Sequence, residues 1–167
     1  LRSSVVSHAK MLGYEVGSPR APKATINVSL TTSDATATMA AGTSFISRVD
    51  GVDYQFVTIS DVTKQNTGST IPFDSTEIYE GTYATTKYLV DSNDVDQRFM
   101  LADVRADTST LTVRVQNSTS DTTTTTYTKA TDITQLSSSS TVYYLQETES
   151  GKFEVYFGDG ATSVGLT

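Results

Sequence analysis

The residue type best suited to acid–base chemistry near neutral pH occurs once, as His8. A Ser-His-Asp triad would have to use this histidine to activate its nucleophile. His8 lies between Ser7 and Ala9 in a predicted helix, and no nucleophile-elbow motif is present to receive it. We therefore interpret His8 as a surface or interface residue and predict no catalytic residue.

Paired carboxylates are the second group that could do chemistry, because glycoside hydrolysis needs two acids that face each other across a cleft. The chain has 19 Asp and Glu residues. The glutamates that come into question are Glu77, Glu80, Glu147, Glu149 and Glu154. Their spacing in the sequence brings no pair together, so the carboxylates alone give no reason to predict an active site.

An acidic segment at residues 91–96 has the composition of a calcium loop but not its spacing. Such a loop needs oxygen ligands at positions 1, 3 and 5, a glycine at 6 and a glutamate at 12. With Asp91 as the first position, the fifth is Val95 and the twelfth is Ala102. We predict a solvated turn and no metal site.

The segment Phe157-Gly158-Asp159-Gly160 places an acid between two glycines. Glycine permits backbone angles that a Cβ atom disfavours, and an aspartate side chain can accept bonds from nearby amides. An aspartate in this setting could instead hold a metal or take part in catalysis, but no motif supplies it with a second acid or a histidine. We predict a tight turn at the end of a strand.

Other cofactor chemistry has no sequence support. Cysteine is absent, which excludes disulfides and Cys-ligated zinc. The chain contains no phosphate-binding loop and no dinucleotide fingerprint, so no cofactor is predicted.

Composition favours a β-rich protein. The 167 residues include 30 Thr, 21 Ser, 9 Tyr and 6 Phe, with only 3 Pro. Threonine and the aromatic residues favour pleated strands. This length suits one ordinary domain or two small lobes.

Charge and hydropathy argue against two classes of partner. The formal net charge is −7, and an acidic surface repels both phosphate backbones and anionic membranes. No apolar run approaches the roughly 20 residues that a membrane-spanning helix needs. We expect neither nucleic acid nor a membrane as partner.

The best helix candidate covers residues 3–14, where Val5, Val6, Ala9 and Leu12 fall near one face. Ser3 or Ser4 would cap its start, and Gly13 would end it. The first residue is Leu1, so we interpret the chain as a piece of a longer protein. The predicted division is a helix and linker over residues 1–22, continuing from a missing part, and a β-rich domain over residues 23–167.

Short strands with turn signals fill the rest of the chain. The clearest signal is Asp50-Gly51 between two alternating runs, which favours a tight hairpin. Residues 35–46 are predicted as extended chain with a turn at Ala41-Gly42, and residues 77–89 as two strands separated by a turn at Glu80-Gly81. Further strands are predicted over residues 24–30, 98–101, 111–115, 142–146 and 153–157, and an exposed Thr-rich loop or edge over 117–126. The predicted fold class is mainly β, either a β-sandwich or paired small sheets of short antiparallel strands, with a short N-terminal helix.

Two segments near the end carry a family resemblance, and further segments match it in order. They are residues 142–147 (VYYLQE) and 151–160 (GKFEVYFGDG), preceded by 5–14, 41–45, 54–58 and 78–82. In this order they resemble the baseplate J-like family of contractile-tail phages, and more closely the baseplate wedge subunit of T-even-like phages. The resemblance covers nearly the whole chain, whereas the Thr-rich stretch 119–126 matches no motif of the family.

The resemblance implies an architectural role without catalysis. Wedge subunits of this kind associate with copies of themselves, as a homodimer or ring, and with other baseplate wedge proteins. The implied location is the tail baseplate of the virion, with assembly in the host cytoplasm. The motif residues are then expected to determine the fold: Gly42, Thr43, Phe45, Tyr54, Phe56, Glu80, Gly81, Gly158, Asp159 and Gly160.

Two alternatives stay open at this point. A carbohydrate-binding or adhesive β domain of a phage tail or secreted protein would share the Ser/Thr-rich, acidic composition, although the chain has no Trp and no calcium loop. An enzyme such as a lysozyme-like tail hydrolase would need two acids in a cleft, one of them with a raised pKa.

Overall fold

The computed structural model describes residues 2–14, 17–91, 93–94, 96–131, 134, 136–158 and 165–166. Within them lie one α-helix, eleven strands and a short 3₁₀ turn at Thr108–Thr110. The elements are α1 Arg2–Met11, β1 Lys23–Thr31, β2 Thr36–Met39, β3 Ser44–Val49, β4 Val52–Val57, β5 Val62–Gln65, β6 Thr70–Glu80, β7 Phe99–Met100, β8 Val113–Gln116, β9 Thr124–Lys129, β10 Val142–Glu147 and β11 Phe153–Tyr156.

The chain divides into two compact units. The central unit is Arg20–Thr85, and the other, which we call the terminal unit, combines Leu1–Pro19 with Thr86–Thr167. Compactness does not establish that a segment folds independently, so the predicted division into residues 1–22 and 23–167 stays a prediction.

The central unit contains a four-stranded sheet in the order β1-β6-β4-β3 and a separate β2-β5 pair. β1 and β6 pair antiparallel along most of their length, and Ile71, Phe73 and Ile78 of β6 are buried. Between Ile26 and Val28 the register shifts, and Ser75 takes a positive φ of 54°. The Asn27 side chain accepts the Ser75 backbone N–H at 2.8 Å, which supports the irregular backbone there.

The hairpin predicted at Asp50-Gly51 is confirmed. β3 and β4 pair without irregularity from Ser44 opposite Val57 to Val49 opposite Val52. Asp50 and Gly51 both have positive φ, 51° and 82°, which is the pattern of a type I′ turn.

The terminal unit contains a five-stranded sheet in the order β7-β11-β10-β9-β8. Its neighbours pair antiparallel except β9 and β10, which are parallel. The core is a cluster of Tyr127, Tyr143 and Val155 with half-buried apolar neighbours around it. β10 and β11 form the second hairpin that the sequence predicts.

The N-terminal helix begins earlier and ends earlier than predicted. It covers Arg2–Met11, so Ser3 and Ser4 lie in its first turn and the predicted cap at these residues is wrong. Gly13 does end the helix: its φ is 80°, and the Tyr14 N–H reaches back to the Ala9 carbonyl at 3.0 Å.

The second strand predicted within residues 77–89 is wrong, because β6 ends at Glu80 and residues 82–90 form no strand. Tyrosines that were assigned to it serve as anchors instead. Tyr83 lies against the backbone of Gly42, and the Tyr88 ring packs on Phe99 at 5.3 Å between centroids. The segment is thus held by side-chain contacts of its tyrosines and not by the backbone hydrogen bonds of a strand.

Other differences are smaller, and the mainly β fold class is confirmed. β5 and the first half of β6 lie where no strand is predicted. The Thr-rich segment is a turn only to residue 123, since Thr124–Thr126 already belong to β9, as expected for β-branched side chains. Strands are the main secondary structure of the described residues, and they form small sheets. None of the helices among the described residues is both long and apolar enough to span a bilayer.

Candidate functional site

The one histidine is on the exposed helix surface. Its Nδ1 donates to the Ser4 carbonyl one turn earlier at 2.8 Å, a bond within the helix itself. Among the residues that the structure describes, no three His, Asp or Glu side chains come together as a metal site would require. The hydrogen bond of His8 is therefore local to its own helix, as expected for a surface residue.

The described residues of the acidic segment, 91, 93–94 and 96–97, bond one another through their own polar groups. Asp91 accepts bonds from the backbone and side chain of Asn93, which lower the pKa of its carboxyl. The Gln97 amide donates to the carbonyls of Asp91 and Asp94 at 2.6 and 2.8 Å. Asp91 Oδ1 and the carbonyl oxygens of Asp91 and Asp94 are thus engaged in bonds within the segment.

Carboxyl groups elsewhere shift in the same direction. Glu77 accepts Lys23 at 2.6 Å and the Tyr79 hydroxyl at 3.0 Å, and both bonds lower its pKa. Hydrogen bonds lower the pKa of Asp103 and Asp121 as well. A general acid needs a raised pKa, so the shifts resolved among the described carboxyls favour charged, structural acids over catalytic ones.

A shallow depression of about 260 Å³ in the central unit includes Glu77 in its lining. Lys64 and Asp74 also line it, beside the irregular backbone at Ser75. Its charged groups are of both signs, and one of its two acids, Glu77, is ion-paired with Lys23 at 2.6 Å. Because this ion pair favours the charged form of Glu77, Glu77 is not suited to act as the general acid of a hydrolase.

The first motif block closes the turn into β3. Gly42 has a φ of 82°, and a Cβ placed on it would lie 3.3 Å from the Tyr83 ring. The Gly42 N–H donates to the Thr58 carbonyl at 2.8 Å, and the Thr43 N–H donates to the Thr58 hydroxyl at 3.1 Å. The Thr58 hydroxyl in turn donates to Ala40 at 2.7 Å, so one buried side chain ties both ends of the turn.

The remaining motif residues of the central unit surround the base of the β3–β4 hairpin. Phe45 and Phe56 are a cross-strand pair, with Tyr54 further toward the tip. The Glu80 N–H bonds the Pro22 carbonyl at 2.8 Å, and the Gly81 N–H bonds the Gln55 carbonyl at 2.9 Å. The structure therefore brings together the motif residues 42, 43, 45, 54, 56, 80 and 81.

The last motif belongs to the terminal unit. Phe157 packs edge-on against Phe99 and Tyr127, with centroids 5.9 and 5.3 Å apart. Gly158 follows it and is half-buried. Asp159 and Gly160 lie outside the described residues, so the predicted turn at this segment stays a prediction.

Two surface features were not apparent in the sequence. Residues 46–55, which we call the arm, are all exposed although they include Ile46, Val49, Val52 and Tyr54. At the other extreme, Glu147 is a charged residue type at only 3% exposure, opposite Phe153 in the β10–β11 pair. Alternation alone could have placed Glu147 on a buried face, but it could not reveal that the arm lacks a cover.

These features define a class: a β-rich module whose described acids and polar groups hold turns, and whose exposed hairpin presents apolar side chains. The family model for "Bacteriophage baseplate wedge protein gp6, third domain" matches residues 82–167. This is half of the chain, and the chain belongs to that family. No curated protein matches the chain.

The match confirms the resemblance to a baseplate wedge subunit. The chain is thus a structural component of a phage baseplate, located in the virion tail and in contact with other baseplate proteins. The match covers the motifs at 142–160 but begins after the arm. The baseplate J-like assignment and the motifs before residue 82 stay predictions.

Proposed function

We propose that this chain helps to build the baseplate wedge by associating with copies of itself as well as with other wedge proteins. The observation that carries the proposal is the family match over residues 82–167. Assembly would take place in the host cytoplasm before the baseplate joins the tail. The chain would act without catalysis, without a cofactor and without binding nucleic acid or membranes.

Surface chemistry supports an assembly role. The exposed turns are rich in hydroxyl and amide groups, which suit polar interfaces that form and rearrange. The arm adds apolar side chains that are uncovered in the single chain. Interfaces commonly combine these two features as a polar rim around an apolar centre.

We further propose that the motif residues act by determining the fold. Gly42 supports this role, because an alanine would combine a positive φ with a contact of 3.3 Å to Tyr83. Gly81 supports it through its bond to Gln55, which attaches β4 to the end of β6. Gly158, Asp159 and Gly160 are assigned the same role at the end of β11.

Light scattering over a wide concentration range tests self-association. The single chain has a mass of 18.0 kDa. We expect the weight-average mass to rise toward that of a dimer or ring as concentration increases. A mass that stays at the monomer value up to about 1 mM, the regime of the weakest specific complexes, would contradict the proposal.

The carbohydrate-binding alternative is tested on the same sample with a glycan array. We expect no glycan to bind above the background of an unrelated acidic β protein. Saturable binding of one glycan class, together with a strictly monomeric mass, would favour the alternative function.

A further inference from the structure

The arm extends beyond the sheet that supports it. β3 and β4 pair over six residues each, but β4 pairs with β6 only at Phe56 and Val57. All ten residues from Ile46 to Gln55 are exposed, in a two-stranded ribbon. A two-stranded hairpin is marginally stable in water unless a third strand or another element covers it. The arm therefore has the geometry of an element that gains stability from a partner.

Turn geometry identifies which backbone groups of β3 face outward. In a hairpin with a two-residue turn, the pair next to the turn, here Val49 and Val52, is hydrogen-bonded, and the pairs then alternate. The bond from the Thr58 N–H to the Thr43 carbonyl at 3.1 Å fits this alternation at the other end. The N–H and C=O groups of Ser44, Ile46 and Arg48 consequently point away from β4. No described strand pairs with β3 on that side.

This edge lacks the features that usually block strand addition. Natural edge strands carry lysines, prolines or bulges that discourage pairing. The opposite edge of the same sheet, β1, has Lys23 and an irregular register at Asn27. β3 has no lysine or proline, and its register is regular. Its one charge, on Arg48, lies 3.6 Å from Asp53 across the hairpin.

We propose that the outer edge of β3 pairs antiparallel with β3 of a second copy of this chain, about a two-fold axis at Ile46. In this register Ile46 lies opposite its own copy, while Arg48 lies opposite Ser44. Like charges thus never meet, as a self-complementary interface requires. The pairing joins two hairpins into one continuous sheet and places the exposed Ile46 side chains of the two copies side by side.

Charge favours a second copy as the occupant. The chain as a whole has a net charge of −7, whereas residues 44–49 carry one positive charge and no negative one. Most of the acidic surface therefore stays outside the contact, and the segment that meets its copy is the least acidic part of the hairpin. This inference rests on the proposed self-association and names the element that mediates it.

Sedimentation velocity of the whole chain at increasing concentration tests the proposal with three variants. Ile46→Pro removes one outward N–H, which leaves the bonds to β4 intact because proline is tolerated at the open side of edge strands. Ile46→Lys keeps that N–H but places two positive charges opposite each other at the axis. Gln55→Lys is the matched control, since Gln55 is the cross-strand partner of Ile46 but belongs to the inner strand.

We expect both Ile46 variants to weaken association by about tenfold or more and Gln55→Lys to change it by less than about threefold, because the edge and not the face makes the contact. Circular dichroism verifies that each variant is folded. If the parent chain associates and the Ile46 variants associate equally well, the edge is not the interface, although self-association stands. If the parent chain stays monomeric, both the proposed self-association and this interface are wrong.

Discussion

Two exposed hairpin ends of this chain differ in the chemistry of the groups that they present to water. The end of the β8–β9 hairpin, residues 117–123, which we call the polar tip, satisfies its own groups. Asn117 donates to Asp121 at 2.9 Å, and Asp121 accepts the Thr123 N–H at 2.9 Å. The arm is closed by a two-residue turn and exposes Val49 and Val52, each about half accessible.

This difference separates a hairpin that is complete in water from one that is not. Polar side chains at the tip exchange hydrogen bonds to water for hydrogen bonds within the turn. A partner protein that covered the tip would therefore add no stability. Apolar side chains on the arm stay hydrated until a partner removes them from water. Exposure alone therefore does not indicate an interface. The polar or apolar character of the exposed side chains indicates it.

The largest expected effect concerns how each hairpin is anchored. Tyr127 of β9 is 7% exposed in the core, whereas Tyr54 of β4 is 38% exposed. We expect Tyr127→Ala to lower the free energy of unfolding by about 3 kcal/mol, through lost burial and a cavity. Tyr54→Ala should cost less, about 1 kcal/mol, because more than a third of Tyr54 is already exposed to water.

Urea unfolding followed by circular dichroism measures both values. Thr125→Ala, on an exposed position of the same strand as Tyr127, is the control and should leave stability nearly unchanged. Equal losses of unfolding free energy in the two tyrosine variants would show that the arm is packed as tightly as the core, which would contradict the claim that the arm is uncovered.

The next effect concerns the turn of the arm. Gly51 has a φ of 82°, so Gly51→Ala should destabilise the hairpin by about 1 kcal/mol. Asp50→Asn is the matched control, because asparagine tolerates a positive φ and should be neutral. Amide exchange of Val52 and Tyr54 reports the local change. An alanine variant with unchanged exchange would mean that the arm does not depend on this turn.

A smaller effect concerns the polar tip. Bonds from Asn117 and Thr123 lower the pKa of the Asp121 carboxyl from 3.8 to about 2. Since the folded pKa is the lower one, the tip is fully stabilised above pH 3.8 and loses this contribution as the pH falls through about 2. Titration of the carboxyl by NMR should give a midpoint near 2.

Asn117→Ala should raise the Asp121 midpoint toward 3.8, because it removes the largest cause of the shift. Ser150→Ala, in a different exposed turn of the terminal unit, should leave it unchanged. A midpoint that is ordinary in the parent chain would mean that the tip is not held by its own side chains. Self-association should be the same in all three proteins.

Local signals predicted the hairpins well. Asp50-Gly51 gave the arm its turn and register, and the alternation at 142–146 and 153–157 gave the β10–β11 pair. These features depend on residues close in sequence. The predicted strand through Tyr83 and Tyr88 failed, because both rings are used in contacts with residues far along the chain.

Features that depend on distant pairing could not be predicted. The parallel pairing of β9 with β10 and the end of β6 at Glu80 are decided by the sheet as a whole. Since β6 ends there, the alternating residues of β3 and β4 pass from half-buried at Phe45 to exposed at Val49. The alternation that predicted the hairpin therefore could not reveal that its outer part, the arm, is uncovered.

Hydrogen exchange of individual β3 amides at several concentrations tests the central claim most directly. The Ile46 and Arg48 amides face outward, whereas the Ser47 amide between them bonds β4 and provides an internal reference. We expect the Ile46 and Arg48 amides to exchange quickly when the chain is dilute and to become protected as it associates, with Ser47 and the polar-tip amide of Thr122 changing little. Protection that is independent of concentration at Ile46 and Arg48, in a sample whose mass increases, would contradict the claim that this edge joins two copies.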